Sequence, residues 1–172
     1  MSFADRMRPD AGGEGSGPII RPALAGESAA LVAIIAEVYR EYGFVFDARD
    51  EVPDVLDLDR VYDGVSAAFF AAESAGNPVA TIGIKLRGQV GEILRLYVLP
   101  GWRRRGLARR LCDEAVGWAR GRGARRIELW SDTRFTAAHE LYRGMGFTQS
   151  GRRRLDDANR SEELGFYRDE GG

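Results

Sequence analysis

The sequence is poor in the residues that build disulfides, metal sites and membrane anchors. Cys112 is the only cysteine, so the chain can form no internal disulfide and no cysteine-based metal site. No apolar run approaches the ~20 residues that a membrane-spanning helix requires. The first residues also lack the apolar core of a signal peptide. We therefore expect a cytoplasmic protein that neither contacts a membrane nor binds a metal.

An excess of charge of one sign is also missing. The 25 Lys and Arg residues nearly balance the 26 Asp and Glu residues, which argues against a general nucleic-acid binder. Arginines are concentrated at 103–126 and 152–154, so nucleic-acid binding through them stays open as a minor alternative. The lack of an aromatic platform on which bases could stack weakens that alternative.

The length predicts one folded domain. A chain of 172 residues can bury a substantial core. Residues 1–17, however, are rich in Gly, Asp, Glu and Arg and have little apolar content. We expect a disordered tail at 1–17 and one domain at 18–172.

Residues 92–119 are the stretch around which the rest of the chain is organised. Residues 93–98 are nearly all apolar, which favours a strand covered on both faces. Pro100 and Gly101 then end the strand. From Leu107 onward apolar residues recur at helical spacing with charged residues between them, and Cys112 falls on the apolar stripe. A helix with a buried cysteine should therefore begin close to Gly106.

The start of that helix is a candidate binding site for a phosphate. The first N–H groups of a helix have no partner within it, and they carry the positive end of its dipole. Gly106 lets an anion approach the backbone, and Ala108 keeps the next turn small. Arg103, Arg104 and Arg105 add charged donors. The strand, turn and helix around these residues favour a phosphate site over a solvated basic helix start.

The remaining segments predict a mixed sheet with helices between the strands. Turn-forming clusters separate apolar runs of strand length, and a helix-connected strand at 126–131 can run parallel to the central strand. An acidic segment broken by Pro53 lies early in the chain. The predicted strands are 18–22, 66–73, 79–86, 92–99, 126–131, 147–155 and 164–168, and the predicted helices are 27–42, 55–62, one from 107, and 136–143.

Two motifs resemble the GNAT N-acetyltransferase superfamily. The pattern Arg103-x-x-Gly106-x-Ala108 after an apolar strand resembles the loop that binds the pyrophosphate of acyl-CoA in that family. The pattern Ala138-x-x-Leu141-Tyr142-x-x-x-Gly146-Phe147 resembles its second motif. The element order over residues 18–168 is also that of the family. The resemblance implies an α/β protein of α+β type with the GNAT fold, in which about six or seven strands form a mixed central sheet with helices on both faces.

One position departs from the family pattern. Many relatives have an asparagine seven residues before the motif tyrosine, where it contacts the cofactor, but this chain has Phe135 there. Asp132 or Thr133 could supply the polar contact instead.

The resemblance assigns acetyl-CoA as the acyl donor and implies roles for individual residues. The amide N–H of Val98 would face the thioester oxygen as an oxyanion-type donor. Tyr142 would protonate the leaving thiolate, since a thiol has a pKa of ~8.5 and a tyrosine ~10. A core aromatic role for Tyr142 is the alternative. The predicted residues of the acetyl-CoA site are Leu96, Tyr97, Val98, Arg103, Arg104, Arg105, Gly106, Leu107, Ala108, Arg109 and Thr133.

The acceptor amine must lose a proton before it attacks, since an alkyl amine with a pKa near ~10 is protonated at neutral pH. Glu92 is the first candidate base, at the spacing from Gly106 that the catalytic glutamate has in histone-modifying relatives. Glu128 and the acidic segment near Asp50 are alternative candidates for the base, and His139 is a weaker candidate.

The leading hypothesis is an N-acetyltransferase that acts on a primary amine by direct attack in a ternary complex. The acidic segment favours a small cationic or amino-acid-like acceptor, and a protein amino group is an alternative. A non-catalytic acyl-CoA-binding or regulatory module also remains open. Dimers are common in the family, so a homodimer is possible.

Overall fold

The computed structural model describes residues 17–171, so the tail predicted at 1–17 lies almost wholly outside the described residues. Within them the protein has one mixed seven-stranded sheet in the order β1-β2-β3-β4-β5-β7-β6. All neighbouring strands are antiparallel except β4 and β5, which are parallel. The strands are β1 (Ile19–Pro22), β2 (Ala67–Ser74), β3 (Asn77–Arg87), β4 (Val90–Val98), β5 (Arg126–Asp132), β6 (Thr148–Arg154) and β7 (Glu162–Asp169).

In the described part of the chain, six α-helices cover the two faces of this sheet. Residues of α1 to α4 pack with Phe69 and Ala71 on one face, while α5 and α6 pack with Phe70 and Phe166 on the other. This arrangement confirms the predicted fold class. The helices are α1 (Ser28–Glu41), α2 (Ala48–Glu51), α3 (Pro53–Leu56), α4 (Leu58–Val61), α5 (Leu107–Arg120) and α6 (Thr136–Gly144).

Helix α5 begins at the candidate phosphate site, and its apolar side packs in the core. Leu111, Cys112 and Ala115 are completely buried, as the helical spacing predicted. Burying each leucine of that stripe contributes about 2 kcal/mol. Burial also raises the pKa of the Cys112 thiol to about 12, as expected for a core residue. Among residues 17–171, no helix is long and apolar enough to cross a membrane.

The acidic segment differs from its predicted form. The sequence predicted one helix over 55–62, but the segment forms the three single turns α2, α3 and α4. Val52 and Asp57 lie between the turns with ψ angles of 48° and 47°, which are not helical. Pro53 begins α3, since proline suits the first turn of a helix but cannot extend a preceding one. The prediction of a continuous helix was therefore wrong.

Strand β4 is also less covered than its apolar sequence predicted. Gly91, Ile93 and Val98 are buried, but residues 94–97 are only partly buried. The reason is that β4 loses its neighbour on one side, because its pairing with β5 stops at Ile93.

Candidate active site

A cleft opens in the sheet where β4 and β5 separate. Their parallel pairing covers only Val90–Ile93 and Arg126–Leu129. Beyond Ile93, β4 continues to Val98 and β5 continues to Asp132 without pairing, so the two strands diverge. The resulting cleft has a volume of about 1540 Å³ and is lined by residues from both strands, α1, α5, α6 and the β6–β7 loop.

The free side of β4 presents a backbone donor to this cleft. An extra residue in β4 forms a bulge at Arg95, which has a φ of 56°, and the Thr81 hydroxyl donates to the Arg95 carbonyl at 2.8 Å. After the bulge, the N–H of Leu99 donates to the Val79 carbonyl at 3.1 Å. Because N–H directions alternate along a strand, the N–H of Val98 points away from β3. It therefore faces the cleft, as the oxyanion role requires.

The start of α5 has the geometry of an anion site. Gly106 precedes the helix with a φ of 73°, a conformation that favours glycine. The first bond of the helix runs from the N–H of Arg110 to the Gly106 carbonyl at 3.1 Å. The N–H groups of Leu107, Ala108 and Arg109 therefore have no partner within the helix, and all three residues line the cleft.

The arginines around the start of α5 differ in the contacts that they make within the protein. Arg103 is held by the protein itself, because its Nε donates to the Val98 carbonyl at 2.9 Å and its guanidinium pairs with Glu41 at 2.7 Å. Arg105 lies over the Trp102 ring at 5.5 Å and does not line the cleft. Arg104 and Arg109 are exposed and line the cleft, as Arg103 also does, and Nη2 of Arg109 donates to the Gly144 carbonyl at 3.1 Å. The exposed guanidinium groups of Arg104 and Arg109 can reach a bound anion.

Tyr142 lies at the opposite wall of the cleft. It is 5% exposed and its ring packs 5.5 Å from that of Phe166. Every fully buried side-chain nitrogen or oxygen among residues 17–171 has a hydrogen-bond partner. The Tyr142 hydroxyl makes no such bond, so it opens to the cleft. Burial raises its pKa well above the usual value, and the phenol is protonated at neutral pH.

The first candidate base lies far from this point. Glu92 lines the cleft but pairs with Arg87 at the beginning of β4. It precedes Val98 by six residues, which is roughly 20 Å along a strand. The role of Glu92 as the base stays a prediction, and a proton passing to it from an amine beside the Val98 N–H would have to cross that distance.

Three of the other predicted polar residues, Glu128, His139 and Thr133, do not line the cleft. Glu128 pairs with Arg126 at 2.8 Å. His139 is buried and its Nε2 lies 3.2 Å from the Ser131 hydroxyl, with a pKa lowered by burial. Thr133 does not line the cleft either, whereas Asp132 does.

The half of the cleft away from α5 is lined by aromatic rings and carboxylates, and we call it the acceptor half. Phe135, which replaces the family asparagine, packs edge-on to Tyr42 at 4.8 Å and lies 5.7 Å from Phe44. Three arginines also line this half, but two of them pair with carboxylates. The carboxylates that line it are Asp47, Asp50, Glu51, Asp156, Asp157 and Glu163.

Sequence reasoning missed one residue that lines this half and one that supports it from outside the cleft. Tyr39 of α1 lines the cleft and its hydroxyl donates to Glu51 at 3.0 Å. Asn159 joins the β6–β7 loop to the loop after α1, since its amide pairs with the N–H and carbonyl of Val45 at 2.8 and 2.9 Å. The only sequence signal for Tyr39 was its position, near the apolar stripe of a helix that precedes an acidic segment.

Known proteins resemble this chain in sequence. The sequence model of the acetyltransferase (GNAT) family matches residues 32–147. An uncharacterized N-acetyltransferase of Escherichia coli, YjgM, is 31% identical over 76% of this chain and 81% of its own length. The aminoglycoside N(6')-acetyltransferase type 1 of Klebsiella aerogenes is 27% identical over 78% of this chain and 91% of its own length.

Solved structures share the fold. A GNAT-family acetyltransferase of Staphylococcus aureus superposes with a TM-score of 0.79 at 22% identity, over 88% of this chain and 98% of that one. A protein of Salmonella typhimurium, described as an acetyltransferase and solved with its cofactor acetyl-CoA, has a TM-score of 0.73 at 17% identity, over 91% and 96%. The family match covers most of the chain and the fold agrees with it. The chain belongs to the GNAT family and is an acetyl-CoA-dependent N-acetyltransferase.

Proposed function

We propose that the protein transfers an acetyl group to a primary amine of a small cationic or amino-acid-like molecule, by direct attack in a ternary complex. One observation carries this proposal: the cleft between β4 and β5 has the N–H groups that begin α5 at one end and carboxylates at the other. The Val98 N–H and the Tyr142 hydroxyl face the space between them. A donor and an acceptor can therefore meet without a covalent enzyme intermediate.

The donor half fits a coenzyme A pyrophosphate. Nothing lies within 4 Å of the position that a Cβ on Gly106 would occupy, so an anion can approach the unpaired N–H groups of Leu107 and Ala108. Arg104 and Arg109 add positive charge there. Leu96, Tyr97 and Val98 would present strand backbone to the pantetheine arm. When bound, acetyl-CoA supplies the thioester whose acetyl group is transferred.

Two groups of the chain would act on the reacting atoms. The Val98 N–H would donate to the carbonyl oxygen of the acetyl group, a contact worth roughly 3 kcal/mol when it strengthens in the transition state. The Tyr142 hydroxyl would give its proton to the departing sulfur. The apolar surroundings that keep Tyr142 neutral would also disfavour a thiolate beside it, so a proton transfer removes charge from a dry site.

The acceptor half favours a cation. Its six carboxylates outnumber its three arginines, of which Arg153 pairs with one of the six, Glu163, and Arg95 pairs with Asp54. The remaining carboxylates are exposed or partly buried, and their net negative field attracts an ammonium group and repels anionic molecules. The relative from Klebsiella aerogenes is named for aminoglycosides, which are small and cationic, and its name supports the same class of acceptor.

The proposal can be tested by incubating the protein with acetyl-CoA and a panel of polyamines, aminoglycosides, amino acids and peptides. Release of the coenzyme A thiol should require an amine, and cationic amines should be the fastest. A Tyr142→Phe variant should lose about 100-fold in kcat while its affinity for acetyl-CoA stays unchanged. Tyr167→Phe is the matched control, since Tyr167 lies on β7 outside the cleft. Unchanged turnover by Tyr142→Phe would refute the proton-donor role.

A further inference from the structure

Arg95 has an unusual backbone conformation for a residue inside a strand. Its φ of 56° is positive, which is costly for a residue with a side chain. Strain of this kind persists only where the surrounding structure holds it, and it is concentrated at functional sites. Among residues 17–171, the other non-glycine residues with a positive φ lie in connections outside the helices and strands, and they are Ala75, Arg104 and Arg160.

The bulge at Arg95 shifts the pairing of β4 with β3 by one residue. The register at the beginning of β4, continued without a bulge, would place Val98 opposite Val79. The Val79 carbonyl points at β4, so it would take up the Val98 N–H. With the bulge, Val98 instead faces Ala80, and the Val79 carbonyl accepts from the N–H of Leu99 at 3.1 Å. The bulge therefore frees the Val98 N–H for the cleft.

Arg95 is held through its backbone and through its side chain. The Thr81 hydroxyl of β3 donates to the Arg95 carbonyl at 2.8 Å, and Thr81 is completely buried. The pairing of β3 with β4 passes over Arg95, so the hydroxyl takes the place of the N–H that a partner residue would supply. The Arg95 guanidinium donates to Asp54 of α3 at 2.7 Å. Without the Thr81 hydroxyl, the Arg95 carbonyl would lose this partner, and that cost favours a relaxed backbone.

We propose that Thr81 is a positioning residue for the oxyanion donor, because its hydroxyl holds the bulge that turns the Val98 N–H toward the cleft. The inference rests on the proposed function, in which that N–H donates to the carbonyl oxygen of the acetyl group. Thr81 does not line the cleft. It therefore acts on the reaction only through the backbone of β4, in which Val98 follows Arg95 by three residues.

The rate should be sensitive to this bond because an oxyanion donor has to be placed closely. Such a donor acts at about 2.7–3.1 Å from the oxygen on which charge develops. A misplacement of about 1 Å can cost about 100-fold in rate, and losing the donor costs about as much. If the bulge dissolved, the Val79 carbonyl would take up the Val98 N–H and remove it from the reaction.

The test replaces Thr81 and measures acetyl transfer to the fastest amine of the panel. Thr81→Val keeps the branched shape of the side chain but lacks the hydroxyl. We expect its kcat to fall about 30-fold, which is less than the cost of losing the donor altogether. Thr81→Ser keeps a hydroxyl and should restore most of kcat. The Kd for coenzyme A should stay unchanged in both variants, because the start of α5 does not involve Thr81.

Ile84→Val is the matched control for a loss of stability. Ile84 is also completely buried in β3, but it faces Ile93, which precedes the bulge. Removing one of its methylene groups leaves a cavity and lowers the melting temperature, while kcat should match the wild type. Melting temperatures and kcat values of Ile84→Val and Thr81→Val together separate a loss of stability from a loss of position.

Hydrogen exchange follows the bulge independently of turnover. The bond from the Leu99 N–H to the Val79 carbonyl exists only in the register that the bulge creates. Protection of the Leu99 amide should therefore fall in Thr81→Val and persist in Thr81→Ser and Ile84→Val.

Several results would overturn the positioning role of Thr81. One is a Thr81→Val variant whose kcat or whose Leu99 protection equals that of the wild type. Another is a loss of kcat in Thr81→Ser as large as that in Thr81→Val, since the hydroxyl would then not be the group that matters. An equal loss of kcat in Ile84→Val would show that stability alone is responsible. A wild-type protein that transfers to no amine would instead refute the proposed function.

Discussion

Two glycines at the ends of α5 allow the phosphate site to be tested separately from stability. Gly106 before the helix has a φ of 73°, and Gly123 after it has a φ of 87°. In both places an added Cβ would meet nothing within 4 Å. Gly106→Ala and Gly123→Ala therefore carry the same backbone cost without a clash, about 1 kcal/mol each.

The two variants should differ in binding. Each should lower the melting temperature by about 2–4 °C, which corresponds to about 1 kcal/mol in a domain of this size. The Cβ in Gly106→Ala additionally projects into the space from which a phosphate would reach the N–H groups of Leu107 and Ala108. Losing one charge-assisted hydrogen bond costs about 2 kcal/mol, so the Kd for coenzyme A should rise roughly 30-fold.

Thermal unfolding and calorimetric titration with coenzyme A measure these two effects. We expect equal melting temperatures for the two variants and weakened binding for Gly106→Ala alone. If Gly123→Ala binds as weakly as Gly106→Ala, or if neither weakens, then the start of α5 is not where the pyrophosphate lies.

Two further predictions concern residues outside the cleft that bond to the lining of the acceptor half. Burial would raise the pKa of Asp54, but the hydrogen bond and charge of Arg95 outweigh it and hold the pKa below 3.8. Asp54→Asn should therefore lower the free energy of unfolding by about 3 kcal/mol at neutral pH. The difference in unfolding free energy between the variant and the wild type should narrow as the pH falls below about 3.8, because Asp54 is then protonated in the wild type. Denaturant unfolding at several pH values checks this, and a gap that ignores pH would contradict it. Asn159→Ala removes both bonds to Val45 and should raise the KM for the amine, while the Kd for acetyl-CoA stays constant. Equal weakening of both ligands would show that the loop contact does not belong to the acceptor side.

The sequence was most informative where chemistry and local structure coincide. The start of α5 follows from Gly106 and from the apolar stripe that begins at Leu107, and both are local signals. Tyr142 was found because it belongs to a motif whose glycine and phenylalanine also end α6 and begin the next strand. Its position at the cleft agrees with the predicted role, which stays a prediction.

The sequence was least informative where contacts join distant residues. Asp54 and Arg95 are 41 positions apart, and no periodicity relates a helix residue to a strand residue at that separation. The separation of β4 from β5 after Ile93 is a property of pairing between strands, and it is invisible in an apolar run. Glu92 was chosen by its spacing from Gly106, and its role as the base stays a prediction.

The contact between Arg103 and Glu41 connects the two halves of the cleft. Arg103 belongs to the loop that would receive the donor, and Glu41 ends the helix that carries Tyr39. A rearrangement of the loop or of the helix on ligand binding therefore changes the contact between them. Thermodynamic reciprocity then requires the donor and the acceptor to change each other's affinity by the same factor. Both side chains are about one third exposed, at 31% and 38%, so the pair is worth at most about 1 kcal/mol. Through this ion pair, one ligand can change the affinity for the other by about fivefold at most. The ion pair therefore imposes only a weak preference for one order of binding.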